Sequence, residues 1–157
     1  MEPDRFVLSF ETLKAWCQRQ SYQFSENVEL GQLAIHYQLL GHPAPLVVLP
    51  QVQRGMVMLV MKQPFSVPVD RRDAISDAAN RLNATLLMGA WALNRDTGEL
   101  FFRATVPALD VGYTDQGLLH VARIVVGTSE RAATAMRAVA LEAADPEKAI
   151  SAIAYPA

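Results

Sequence analysis

Between Tyr22 and Met61 the chain offers only strand-period segments separated by short turns, with no room for the helical crossovers that parallel strands need. Leu33, Ile35, Tyr37 and Leu39 alternate with Gln32, Ala34, His36 and Gln38, the pattern of a half-buried strand. Tyr22 to Phe24 reads as a shorter strand before it. Gly41-His42-Pro43 breaks the alternation, and Leu46 to Leu49 reads as a further strand closed by Pro50. A polar turn at Gln51 to Gly55 leads into Met56 to Met61. Strands that succeed one another in this way pair antiparallel, which argues against a doubly wound fold.

Helical periods flank this block. Ser9 is placed to cap a first helix with Phe10, Leu13 and Cys17 on one face. Pro64 and Pro68 end the strand region, and Asp70 is the expected N-cap of a second helix, whose Ile75, Ala78, Ala79 and Leu82 form an apolar stripe opposite Arg72, Asp73, Asp77, Asn80 and Arg81. Leu86 to Leu93 and Glu99 to Val106 flank a turn with Gly98 near its end, a hairpin stopped by Pro107. After Asp110-Val111-Gly112-Tyr113, Thr114 caps a stripe running Leu118, Ala122, Val125, Ser129, Ala132, Met136, Val139 and Ala143. The spacing stays in register across Gly127, so it predicts one long helix. Asp145-Pro146-Glu147 opens a short terminal helix through Ile153. The expected class is α+β, a mainly antiparallel sheet with helices on one face in the order α-βββ(β)-α-ββ-α, with residues 1–157 forming one domain.

One strand does not fit such a half-covered sheet. Met56 to Met61 is apolar on both pleat faces, so it is either covered on both sides or meets another chain. Met56, Met58 and Val60, together with Trp91 and Phe101 of the hairpin, are therefore the candidate dimer or protein-binding surface. Core packing is the competing reading for each of them. Met61, Met88 and Met136 add soft side chains of the kind used on adaptable surfaces.

Templates for chemistry find little purchase. His36, His42 and His120 share no metal-pair spacing, and there is no HExxH, no Gly-x-Ser-x-Gly and no phosphate-binding glycine loop. The pairs Asp73/Asp77 and Asp96/Glu99 are expected on a solvated helix face and in a turn, where nothing perturbs their pKa values. A lone Cys17 excludes an internal disulfide. These observations predict no catalytic residues, no metal and no cofactor. With a net charge of −2 and no basic cluster beyond Arg71-Arg72, nucleic-acid binding is not expected unless the eleven arginines gather on one face. Met1 to Leu8 does not read as a leader and no apolar run approaches a membrane span, so a cytoplasmic protein without a membrane partner is expected.

The stretch Ala79-Asn80-Arg81-Leu82-Asn83, then Gly89-Ala90-Trp91-Ala92-Leu93, Asp96-Thr97-Gly98-Glu99-Leu100-Phe101-Phe102-Arg103 and Val106-Pro107, resembles the YbjN family. The resemblance implies the fold of type III secretion chaperones, commonly paired as homodimers that hold protein segments against hydrophobic patches. It carries no catalytic residues over. The expected function is a non-enzymatic protein-binding module, chaperone-like or regulatory, acting as a homodimer with one or more protein partners. The alternative is a small-molecule sensor or enzyme with a pocket between the sheet and the long C-terminal helix, drawing on His120 or Arg123.

Overall fold

The structure, a computed structural model, describes residues 4–108 and 112–153. The turn expected at Asp110-Val111 lies outside the described residues, as does the start of the Met1–Leu8 segment. In chain order the elements are β1 (Arg5–Phe6), α1 (Phe10–Arg19), β2 (Phe24–Asn27), β3 (Gln32–Ile35), β4 (Gln38–Leu39), β5 (His42–Pro43), β6 (Leu46–Gln51), β7 (Met56–Ser66), α2 (Arg72–Asn83), β8 (Ala90–Leu93), β9 (Glu99–Pro107), β10 (Tyr113–Thr114), α3 (Asp115–Leu141) and α4 (Pro146–Ser151). Six strands form an antiparallel sheet in the order β2-β3-β6-β7-β9-β8, while β1 pairs with β10 and β4 with β5.

The helices start largely where cap chemistry places them. Ser9 Oγ accepts from Thr12 N at 3.0 Å, and Thr12 Oγ1 accepts from Ser9 N at 2.9 Å, a reciprocal box that fixes the first turn of α1. Thr114 caps the 27-residue α3 and Asp145 caps α4. Asp70 does not cap α2: a 3₁₀ turn over Val69–Arg71 absorbs it, and Arg71, the residue before the helix, has no capping side-chain bond. The adjacent Arg71 and Arg72 are both half-buried and bonded. Arg71 donates to the carbonyls of Val139 (2.8 Å) and Ala144 (2.9 Å), satisfying acceptors at the C-terminal end of α3, and Arg72 donates to those of Val67 and Arg95.

Several strands differ from their expected bounds. The alternation from Leu33 to Leu39 is split: β3 ends at Ile35, and β4 turns back on β5 through Leu40 and Gly41, both at positive φ. β6 runs through Pro50, because β3 pairs with it only as far as Val48 and leaves the last residues with one neighbour. β7 continues past Pro64 across a register shift between Lys62 and Ser66, a bulge that absorbs the missing donor. β8 is half its expected length and begins after Gly89, so Leu86 to Met88 lie outside it and Leu87 is fully exposed.

Leu33, Leu46, Val48, Val57, Leu59, Met61, Leu100 and Phe102 share the face on which α1, α2 and α3 pack, and with Trp16, Ile75, Leu82, Val125 and Met136 they make one continuous core. Burying such side chains contributes about 1.5–3 kcal/mol each. Gln63 brings a polar group into this layer, its Nε2 donating to the carbonyl of Ser129 on α3 at 3.2 Å.

Asn83 closes one edge of the sheet. Its Oδ1 accepts from Trp91 N at 2.8 Å and its Nδ2 donates to Trp91 O at 3.0 Å, so one side-chain amide takes the place of a next strand beside β8. Asn83→Ala leaves both backbone groups unpaired and is expected to cost about 1–3 kcal/mol in chemical denaturation.

Candidate functional site

The alternation along β7 divides its apolar run cleanly. Val57, Leu59 and Met61 are fully buried under the helices, while Met56, Met58 and Val60 stand on the opposite face. On that face Met58 lies between Leu49 of β6 and Thr105 of β9, and Val60 lies between Val47 and Arg103. Met56 is opposite Pro107. Phe101 sits between Lys62 on β7 and Ala92 on β8. These side chains are half-buried by one another alone, since among the described residues no helix packs on this side. The result is an apolar band across the centre of the sheet.

Trp91 does not belong to it. Trp91 is 3% exposed and pairs with Phe102 on the core face, their ring centroids 5.5 Å apart. Strand parity decides this: Trp91 faces Phe102 and Ala92 faces Phe101, so the two aromatics expected together point to opposite sides. Met61 and Met136 are core residues as well, and Met88 is exposed beyond the strand end. Val47 and Leu49 extend the band and were hidden in a run of consecutive apolar residues whose parity only pairing reveals.

Charge on the face is confined to its flank and one central residue. Lys62 Nζ meets Glu99 Oε1 at 2.5 Å, and the ammonium holds Glu99 below the usual carboxylate range. Arg103 stands exposed between Val60 and Ala90. Four other arginines are tied up in ion pairs away from this face: Arg19 forks onto Asp115 with two 2.8 Å bonds, Arg81 pairs with Asp77, Arg95 with Asp73 and Arg137 with Glu142.

The space between sheet and α3 is filled by Leu118, Ala122, Val125, Ser129 and Met136. His120 and Arg123 lie on the far side of the helix, where they border a shallow depression of about 270 Å³ with Gly127, Thr128 and Arg131. At roughly 100° per residue, position 120 falls opposite 118 and 122, and position 123 falls opposite 125. His120 and Arg123 therefore line no pocket between these layers, although a hollow of about 490 Å³ does lie between Pro64 and Phe65 of β7 and Thr134, Arg137 and Leu141 of α3. Among the described residues no group of three or more His, Cys, Asp or Glu side chains is arranged to hold a metal. No described helix is long and apolar enough to cross a membrane.

Cys17 is buried on the inner face of α1, and desolvation pushes its thiol up to about 11. Iodoacetamide at pH 8 is expected to leave it unmodified in the folded protein and to label it on unfolding. Because the folded pKa is raised above the unfolded value, the thiol's contribution to stability is full below about pH 8.5 and is lost as pH rises through 11.

The architecture is thus a helix-backed antiparallel sheet with one face left bare. The chain belongs to the YbjN family, described as "Putative bacterial sensory transduction regulator", whose profile matches residues 9–138. Its fold is similar to the crystal structure of YbjN from E. coli, there described as "a putative transcription regulator", with a TM-score of 0.63 at 15% identity over 89% of this chain and 94% of that one. No curated protein matches the chain.

Proposed function

We propose that this protein is a non-enzymatic regulatory module of the cytoplasm that pairs with a second copy through the bare sheet face and acts by binding other proteins. The observation that carries the reading is the placement of the helices on one side of a six-stranded sheet, which leaves Met56, Met58, Val60, Val47, Leu49 and Phe101 uncovered on the other. Strands of four to eleven residues at about 4.8 Å spacing give a face of roughly 600 Å² before side-chain relief is counted. A standard interface takes about 600–1,000 Å² from each partner, so a face-to-face pair would sit at the lower end of that class. Its charges suit a second copy: Lys62 and Glu99 neutralise each other on the flank, and the centre is apolar apart from Arg103. The β8 edge is unsuited to strand addition, because Asn83 already occupies it.

Mixed-label NMR tests the contact itself. In a sample combining protomers with carbon-13 methionine methyls and unlabelled protomers, intermolecular NOEs to the Met58 methyl are expected. A dimer lacking them, with NOEs from another surface, ends this reading of the face. The sensor alternative would have to use the hollow of about 490 Å³ between the end of β7 and the C-terminal turns of α3, which neither His120 nor Arg123 lines.

A further inference from the structure

The outward side of α3 carries a second surface, separate from the sheet face. Between the C-terminal half of α3 and α4 runs a groove of about 650 Å³ whose floor includes Ala135, Ala138, Ala149 and Ile153, with Arg131 and Lys148 among its lining residues. Arg131 borders both this groove and the depression around Gly127, and Gly127, Arg131, Ala135 and Ala138 follow one another at helical spacing, so the two hollows lie along one stripe of α3, here called a trough. From His120 to Ala138 it follows the helix for about 27 Å.

Two independent features make this trough unlike ordinary helix surface. The first is charge. Arg123, Arg131 and Lys148 form no ion pair among the described residues, in a chain whose net charge is −2. The carboxylate that lines the groove, Asp145, is engaged as the cap of α4, accepting from Lys148 N at 3.0 Å. The second is Gly127. Glycine is less favourable than alanine inside a helix, and this one lies in the middle of a 27-residue helix where a Cβ would meet nothing within 4 Å. Nothing among the described residues uses the space that the missing side chain leaves. A neighbour outside the chain, approaching the backbone closely, would.

We propose that the trough docks an acidic amphipathic helix of a partner protein. Its apolar ridge lies over Gly127, Ala135 and Ala138, and its carboxylates meet Arg123, Arg131 and Lys148. A helix suits the surface better than an extended segment does: the backbone groups lining the trough are already bonded within α3, and an incoming strand would find no partners for its own. Small side chains permit close helix packing. A second copy is a poor occupant, since two such troughs would set cation against cation. The inference rests on reading the protein as a protein-binding module and not on its dimer.

The test titrates nitrogen-15-labelled protein with a designed 18-residue helical peptide carrying leucines at i, i+3, i+4 and i+7 spacing flanked by glutamates. A twin peptide has lysines in place of the glutamates. Saturable shifts at the amides of Gly127, Ala135, Ala138 and Ala149 are expected. Binding should weaken with salt and fall at least about tenfold for the lysine twin. Gly127→Leu should weaken binding about tenfold or more with the fold retained, whereas Gly127→Ala should raise the melting temperature by about 1–4 °C. The proposal is overturned if the glutamate peptide does not saturate, shifts other surfaces, or binds no better than its twin. Unchanged affinity in a folded Gly127→Leu variant overturns it too. Light scattering on the same samples reads dimerisation separately: a monomer that binds the peptide ends only the dimer reading, and a dimer that ignores the peptide ends only this one.

Discussion

Gly89→Ala is expected to destabilise the protein by about 2–5 kcal/mol, among the largest losses any single methyl can cause here. Gly89 has φ 76°, a conformation that costs an L-residue about 1–2 kcal/mol. A Cβ at this position would also stand 2.5 Å from Phe102 Cζ and 2.7 Å from the carbonyl oxygen of Arg103. Neither neighbour is free to retreat: Phe102 is fully buried against Trp91, and Arg103 is held in the β9 ladder between β7 and β8. Gly55→Ala is the internal control, with φ 61° but nothing within 4 Å of its Cβ, so only the conformational cost of about 1–2 kcal/mol applies. Urea denaturation of the two variants separates backbone strain from collision. Equal losses would show that Phe102 and β9 yield more easily than the packing implies.

The second large effect concerns assembly. Met58→Glu places a carboxylate at the centre of the bare face, between Leu49 and Thr105. In a symmetric pair the substitution occurs twice, and burying two unpaired carboxylates costs about 3 kcal/mol or more, at least a hundredfold in Kd. The folded protomer loses little, because Met58 contributes to no helix-backed layer and surface substitutions usually stay within about 0.5–1 kcal/mol. The same change one residue later is expected to behave in the opposite way. Leu59 is completely buried under α3, so Leu59→Glu should abolish folding.

How much of this was legible depended on which kind of signal each residue carried. Helices with cap chemistry and a long apolar period were readable: Ser9, Thr114 and Asp145 mark the starts of α1, α3 and α4, and the α3 stripe crosses Gly127 unbroken. Strand existence was readable too, but strand ends were not, because they depend on partners. Pro50 and Pro64 look like terminators until the neighbouring ladder shows that no donor is needed there. The apolar run of β7 marked a strand with apolar side chains on both pleat faces, and pairing with β9 places Met56, Met58, Val60 and Phe101 on the same one. Trp91 escaped that logic because its face is fixed by pairing with Phe102 and by Asn83, both distant from it in pattern. His120 and Arg123 were drawn towards an interior pocket, although their own helical angle turns them outward. The edge-closing amide of Asn83 lay within the family-like motif, but nothing in composition shows that a side chain there replaces a strand.

Multi-angle light scattering of the wild-type protein beside Met58→Glu, at equal micromolar concentration, tests the bare face most directly. The wild type is expected at twice the 17.3 kDa chain mass and Met58→Glu at the chain mass, with unchanged circular dichroism. A wild-type monomer, or a variant that remains fully dimeric, would contradict the assignment of this face to self-association.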